Sequence, residues 1–442
     1  MKQRTPILDW EIDEADAVEE AVLLVQAVDS APEVPLPRRF SPRFSRLLRG
    51  VMALIVLAVA ILALVVWQRA RENIIHIRGA IEGTIALEGR AWVAQDKELW
   101  QRLIDEDASP GWRARFERIE TFYRRWSGEN AQAPQVEIRD LELLGDVALV
   151  QAVITQTNAT WAPAPYRETR FYRNVEGRWL RTAPDPAFWG VERTLETPHF
   201  HFKYYERDAE AVEALAAQAE ALYAQLRTDA GLPPDLTTRP MTIEIVPRLD
   251  VTSWRFIGDV LTIPSPALLP VPVDHPDSDR LARSLVRPLS ARVLGEALAQ
   301  TSVRVGWYPL VEGMSRWASW QAGPLPSPWE MHLSDELRKL LANGHAPSLN
   351  ILTGPAPYSV DRWIRAKAAE TLIDFVVVTY GRERLPALLR GLSVHTSWDT
   401  LIPEVFGISR AEFEARWQRF ILVIYGPPPA DAASEARRYV RG

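Results

Sequence analysis

The hydrophobic pattern near the start of the chain predicts one membrane-spanning helix. Residues 51–67 contain no charged side chain and are apolar on every face of a helix. At 1.5 Å per residue the run spans about 26 Å, close to the roughly 30 Å hydrocarbon core of a bilayer. Arg49 and Gln68 can extend toward the headgroups, and Trp67 suits the interface. We therefore predict a transmembrane signal anchor over 50–68.

Two other interpretations of this run are a buried helix of a soluble protein and a cleaved signal peptide. A signal peptide would need an n-region of about 50 residues, and no small-x-small cleavage site follows the run. Five arginines precede the run and three follow it, which favours a cytoplasmic N-terminus and an extracytoplasmic C-terminal part. The sequence thus predicts a single-pass protein of the cell membrane, with the lipid bilayer as its partner through residues 50–68.

The segment before the anchor has two parts of opposite charge. Residues 1–33 carry two basic and nine acidic side chains, whereas residues 38–49 carry five arginines and no acid. We predict a mostly disordered cytoplasmic tail over 1–49, whose basic end lies against anionic headgroups. An alternative is that residues 17–25 form an amphipathic helix that docks to a partner.

The segment 74–190 combines helical and strand patterns. Apolar residues recur with helical spacing over 79–104 and 110–126. Alternating residues then predict two hairpins, over 136–157 and 166–183. The segment is therefore predicted to be an α+β domain with an antiparallel meander.

The turns of these hairpins are predicted at Gly145-Asp146 and Glu176-Gly177. Two helices followed by such a meander resemble the nuclear-transport-factor-like cone, a fold shared with polyketide-cyclase-like domains. The resemblance implies a pocket beneath the sheet. Asp96 is the one acid that suits this pocket, although a helix-capping or solvent-facing role is favoured.

The segment 194–426 is predicted to form a second domain of mixed strands and helices. A helix is expected to begin at Asp208 and to end near Gly231. Residues 260–263 suit an edge strand because prolines surround them. The other predicted elements are strands at 197–206 and 241–247 and helical stretches at 278–303, 307–321, 361–380, 397–406 and 409–424, the last opened by the capping box Ser409-x-x-Glu412.

Three stretches of this segment resemble the peptidase MA-like, or gluzincin-like, family. They are FHFKYYERDAEAVEALAAQAEALYAQL, WYPLVEGMSRWASW and YGRERLPALLRGLSVHTSWDTLIPEVFGISRAEFEARWQRFI. Their order matches an opening strand and helix, a segment in which a tryptophan precedes Glu-Gly, and closing helices. The resemblance implies a zincin-like domain with a helical C-terminal half, so the whole chain is assigned to the α+β class, with a flexible tail over 427–442.

The zinc motif of that family is missing from the sequence. The family uses His-Glu-x-x-His, in which two histidines four residues apart bind zinc and the glutamate activates water. Here the corresponding helix reads Gly295-Glu296-x-x-Ala299, and none of the seven histidines forms an i, i+4 pair. His199 and His201 share a strand face, but surface or packing roles are favoured over metal binding. We therefore predict no metal and no cofactor.

Four residues remain as candidate ligand-binding residues. Glu296 is predicted to face inward, either as a retained general base or as a structural carboxylate paired with Arg292. Glu312 matches the third-ligand position and is expected to pair with Arg316 four residues later. The remaining cleft is expected to be lined by Trp307, Trp317 and Trp320, although packing in the core is the favoured role for all three. Trp317 completes the candidate set.

Composition narrows the function further. The 442 residues are 47% hydrophobic and 24% charged, with a net charge of −6, which argues against a nucleic-acid binder. The absence of cysteine excludes disulfides and thiolate chemistry, and no phosphate-binding or serine-hydrolase motif occurs.

These features favour a membrane-anchored extracytoplasmic binding or scaffolding protein with an inactive peptidase-like domain and a protein or peptide ligand. One alternative is a hydrolase that uses an unforeseen metal or carboxylate site, built from Glu296, Glu312 and a distant histidine. Another is a single-pass sensor that reports through its acidic tail.

Overall fold

The chain divides into two compact units, Met1–His76 and Ile77–Gly442. The computed structural model describes residues 42–114, 116–117, 133–155, 165–235, 239–251, 255–299, 303, 305–321, 328–353 and 361–426. The disorder predicted for most of 1–49, the flexible tail predicted over 427–442 and the end of the helix predicted over 110–126 lie outside the described residues.

The predicted apolar helix is confirmed. Helix α1 runs over Pro42–Val93 without a break. Its segment Met52–Val93 is long and apolar enough to cross a membrane, and no residue of its most apolar window is buried. A fully exposed apolar surface of this length needs an apolar environment to cover it.

The helix predicted over 79–104 differs from the structure at both ends. It begins as a continuation of α1 rather than as a separate helix, and it breaks where Gln95 adopts a left-handed φ of 53°. A short helix, α2 (Lys97–Arg102), follows. Asp96 caps it by accepting a hydrogen bond from the Leu99 amide at 2.9 Å, so the capping role predicted for Asp96 is confirmed.

Both predicted hairpins are confirmed and form the first sheet. The strands lie side by side in chain order and are antiparallel. Gly145 and Gly177 adopt positive φ angles in the turns, a conformation that glycine takes at little cost. Ile81 and Ile85 of α1 belong to the same buried cluster as the inner residues of this sheet. The strands are β1 (Gln135–Leu144), β2 (Val147–Thr155), β3 (Tyr166–Val175) and β4 (Arg178–Arg181).

The second sheet is mixed. Its first two strands are antiparallel and the others parallel, in chain order. The strand predicted over 197–206 corresponds to the second strand of this sheet. The first strand of the sheet was not predicted. The strand predicted at 260–263 does lie at the sheet edge. The strands are β5 (Glu192–Glu196), β6 (Phe200–Tyr205), β7 (Met241–Val246) and β8 (Val260–Pro264).

Two contacts link the first sheet to residues beyond 194. The short strand β9 (Val271–Pro272) pairs with the start of β3. Leu268 shares a buried cluster with Phe171 and Trp189. The sheets therefore belong to one compact unit with shared apolar contacts.

Helices make up most of the remaining described chain. They pack into one large apolar cluster with the second sheet, in which Leu215, Ile243, Leu285 and Trp417 are fully buried. Two of the helices, at 328–342 and 385–394, were not predicted. The helices are α3 (Ala209–Asp229), α4 (Asp277–Ala299), α5 (Tyr308–Gln321), α6 (Pro328–Ala342), α7 (Asp361–Tyr380), α8 (Leu385–Val394), α9 (Trp398–Phe406) and α10 (Arg410–Tyr425).

Candidate functional site

Glu296 does not face inward as predicted. Its side chain is 45% exposed in the last turns of α4, where Gly295 is also exposed. Helical spacing places Glu296 on the face of Leu285 and Leu289, but both of these are fully buried and Glu296 is not. Leu298, two positions later, still packs against the core, so the last turn of α4 buries a different face from the middle of the helix.

The partner of Glu296 also differs from the prediction. Arg227, from the end of α3, donates hydrogen bonds to both carboxylate oxygens, at 2.7 and 3.0 Å. Burial alone lowers the pKa of Arg227, but the hydrogen bonds to Glu296 and Tyr223 outweigh this and raise it. Arg292, the predicted partner, instead donates to Asp259 at 2.7 Å. Glu296 therefore forms a two-pronged ion pair with Arg227.

The pair predicted between Glu312 and Arg316 is confirmed. Arg316 Nε and Nη2 both donate to Glu312 Oε1, at 3.1 and 2.9 Å, on the surface of α5. Arg287 of α4 approaches the same oxygen to 3.8 Å. The Glu312 side chain is 44% exposed whereas the Arg316 side chain is 7% exposed. Glu312 thus neutralises a buried guanidinium.

Trp317 has the packing role that was weighed against a cleft role. It is buried, and its Nε1 donates to Asp374 Oδ1 at 3.2 Å. Burial raises the pKa of Asp374, and the hydrogen bond from Trp317 opposes this rise. The Arg382 guanidinium lies 5.1 Å from the centre of the Trp317 ring and also donates to both oxygens of Asp229. Trp317 is therefore a core side chain with a polar edge.

The C-terminal turn of α3 carries two charged residues that form ion pairs with neighbouring elements, and the sequence did not predict these pairs. Arg227 links α3 to α4 through Glu296, and Asp229 links α3 to the turn after α7 through Arg382. Arg227 and Glu296 are 69 positions apart. No local pattern indicates such a pair, because each residue alone suits an exposed helix position.

A second buried charge network lies between α1 and the first sheet. Arg170 donates to Glu88 at 3.2 Å and to Glu168 at 3.4 Å, and Arg181 donates to Glu168 at 3.0 Å. Burial alone raises the pKa of Glu168, but Arg170 and Arg181 outweigh it and hold the pKa below its usual value. Burial and the nearby Glu88 carboxylate raise the pKa of Tyr172 to about 12. The two acids balance the two cations, as a structural network requires.

His199, directly before β6, and His201, within β6, are each bound to a carboxylate, so the two do not share a strand face as predicted. His199 Nδ1 lies 2.6 Å from Glu220 Oε2, and His201 Nδ1 lies 3.3 Å from Glu196. Within the described residues, no three His, Asp or Glu side chains form a group that could hold a metal ion.

Comparisons with protein-family models, with curated proteins and with solved structures find no match to this chain. The peptidase-like and cone-like resemblances therefore rest on the sequence stretches and on the order of elements. Function has to be argued from the residues themselves.

Proposed function

We propose that this chain is a membrane-anchored, extracytoplasmic binding or scaffolding protein whose peptidase-like domain is not catalytic. The observation that carries the proposal is that both candidate carboxylates are hydrogen-bonded to arginines. Glu296 is held by Arg227 and Glu312 by Arg316. Neither carboxylate is arranged as a water-activating base or as a metal ligand.

The physical reason lies in what a general base must do. A base must direct one of its oxygens at the water whose proton it takes. Both oxygens of Glu296 already accept from a guanidinium, a group that stays protonated throughout the usual pH range. A stabilising role for these residues therefore fits the geometry better than hydrolysis.

The long apolar helix supports the anchoring part of the proposal. Its apolar segment is exposed to its surroundings, and arginines outnumber acids on its N-terminal flank. In this arrangement residues 1–49 lie in the cytoplasm, and the domains after residue 74 lie outside it and meet a protein or peptide ligand there.

The anchoring proposal is tested by topology mapping of the full chain in a bacterial membrane. We expect the chain to resist carbonate extraction and its C-terminal part to be digested by protease added outside spheroplasts. A variant that lacks residues 50–68 should appear in the soluble fraction. Release of the full chain by carbonate, or protection of its C-terminal part from outside protease, would contradict the proposal.

The non-catalytic proposal is tested by metal analysis and peptide hydrolysis. We expect the detergent-purified full chain to carry no stoichiometric zinc and to cleave no peptide of a mixed library. The variants Glu296→Gln and Glu312→Gln should behave as the wild type does, as should the control Glu213→Gln at an exposed position of α3. One zinc per chain, or a hydrolysis that Glu296→Gln abolishes and Glu213→Gln retains, would overturn the proposal.

A further inference from the structure

His199 lies between two groups that can only accept hydrogen bonds. Its Nδ1 is 2.6 Å from the Glu220 carboxylate, and its Nε2 is 3.1 Å from the backbone carbonyl oxygen of Asp235. A neutral imidazole carries one N–H and can donate to only one of these groups. Both contacts become hydrogen bonds only when the two ring nitrogens are protonated, so this geometry requires an imidazolium.

The Glu220 carboxylate is arranged to receive that charge. Its other oxygen accepts from the Thr197 hydroxyl at 2.6 Å and from the His199 amide at 2.8 Å. Together these donors hold Glu220 in its charged form, and its pKa lies below the usual value although burial alone would raise it. Glu220 therefore retains the N–H at Nδ1 whatever happens at Nε2.

The other contact of His199 tethers the segment 233–235, which follows α3. Three side chains hold this segment: Arg227 Nε donates to the Pro233 carbonyl at 2.9 Å, the Tyr223 hydroxyl donates to Asp235 Oδ2 at 2.6 Å, and His199 reaches the Asp235 carbonyl. Of these three donors, only an imidazole titrates near neutral pH, because arginine stays charged and burial raises the pKa of Tyr223 to about 12.

We propose that His199 is a pH-sensitive clamp that, when charged, fastens the segment 233–235 to α3 and to the start of β6. When the imidazole loses a proton, Nδ1–H stays with Glu220, and the lone pair of Nε2 then faces the Asp235 carbonyl oxygen. A hydrogen bond becomes a repulsive contact between two acceptors. One of the three tethers is lost, and the segment is then held by Arg227 and Tyr223 alone.

The charges around His199 determine the pH at which this happens. Glu220 and Tyr223 face it from α3, Asp235 faces it from the segment, and Arg227 lies 4.0 Å from the Asp235 carboxylate. Partial burial alone would lower the pKa of His199, but its bonds to Glu220 and Asp235 outweigh this and raise the pKa above the usual 6.5. The clamp is therefore closed in mildly acidic solution and opens as the pH rises through this raised pKa.

The clamp stands independently of the proposed binding function, since it needs only the described contacts. Its first test follows the His199 imidazole in the full chain, labelled at its seven histidines and held in detergent micelles, by NMR from pH 5 to pH 9. The signal that disappears in His199→Gln identifies this residue. We expect a midpoint above 6.5, and a midpoint below 6.5 would overturn the proposal.

The second test follows the segment itself. Because the chain contains no cysteine, Pro234→Cys creates one unique site for a nitroxide label on an exposed residue. We expect the ratio of mobile to immobile label in the spectrum to rise about 10-fold between pH 6 and pH 9, the change in equilibrium that corresponds to one charge-assisted hydrogen bond. The same label at Glu213→Cys, an exposed position on α3, should show no such change.

Two variants separate the clamp from a general loosening of the protein. In the His199→Gln background the label on residue 234 should be mobile at both pH values, whereas in His201→Gln it should follow the wild type. His201 is the matched control because it lies only two residues away, in β6, and is also bound to a carboxylate, Glu196. A pH response that survives in His199→Gln, or a wild-type label whose mobility is constant from pH 6 to pH 9, would overturn the proposal.

Discussion

Asp208 is a buried acid whose removal should change the pH dependence of stability. It occupies the N-cap position of α3, as predicted, but its side chain does not cap the helix. Instead its Oδ1 accepts from the Ser265 hydroxyl at 2.6 Å, and that hydroxyl accepts in turn from Trp189 at 3.0 Å. Oδ2 is buried and accepts no hydrogen bond from any described residue. We examine the substitution Asp208→Asn, which keeps the shape and removes the charge.

The magnitude follows from the pKa of Asp208. Burial, assisted by the nearby Asp277 carboxylate and opposed by the Ser265 bond, raises it to about 6 from an ordinary value of 3.8. The folded state therefore binds this proton more tightly than the unfolded state does. The contribution of Asp208 to the free energy of unfolding is complete below about pH 4. It falls by roughly 3 kcal/mol in total as the pH rises through about 6. Roughly 2 kcal/mol of that loss falls between pH 4.5 and pH 7.5.

The assay compares wild type with Asp208→Asn by denaturant unfolding in detergent, followed by tryptophan fluorescence from pH 4.5 to pH 7.5. Other titrating groups are common to both proteins, so the difference in the free energy of unfolding isolates Asp208. We expect wild type to lose about 2 kcal/mol relative to the variant over this range. A difference in the free energy of unfolding that stays constant within about 0.5 kcal/mol would refute the inference that burial disfavours the charged form of Asp208.

Two further predictions use the same unfolding assay. Gly313→Ala should lower the free energy of unfolding by about 1–3 kcal/mol, because the added Cβ would lie 2.8 Å from the backbone of Ala369 on α7. Gly295→Ala should instead raise it by up to about 1 kcal/mol, because the added Cβ meets no atom within 4 Å. Equal effects at the two glycines would contradict this packing. Lys367→Met should lower the free energy of unfolding by about 3–5 kcal/mol, since it removes a buried ammonium 2.5 Å from the buried Glu370. The double variant Lys367→Met/Glu370→Gln should recover part of that loss, because it leaves no unpaired charge. A single-variant cost below about 1 kcal/mol would show that the pair is already solvated.

Features governed by neighbouring residues were predictable from the sequence. The apolar run over 51–67 required a long uninterrupted helix, and alternation with glycine-containing turns required the hairpins at Gly145 and Gly177. Ser409 caps its helix by accepting from the Glu412 amide at 3.2 Å. The pair of Glu312 with Arg316 belongs to the same class, because residues four apart on a helix are neighbours.

Features governed by packing between distant elements were not predictable. Glu296 suited the inner face of its helix by spacing, but the last turn of α4 buries a different face and Arg227 binds the exposed carboxylate there. The buried bond between Asp208 and Ser265 joins residues 57 positions apart. A helical wheel describes one helix alone and contains no information on which of its faces the neighbouring elements cover.

By itself, then, the sequence determined the long apolar helix, the hairpins, two of the helix caps and one helical ion pair, because each depends on residues within a few positions of one another. Only the tertiary structure decided which charged groups meet: Arg227 with Glu296, and His199 between Glu220 and the carbonyl of residue 235. Electrostatic and hydrogen-bond energies fall steeply with distance and burial, so the protonation and role of these groups depend on how the elements pack.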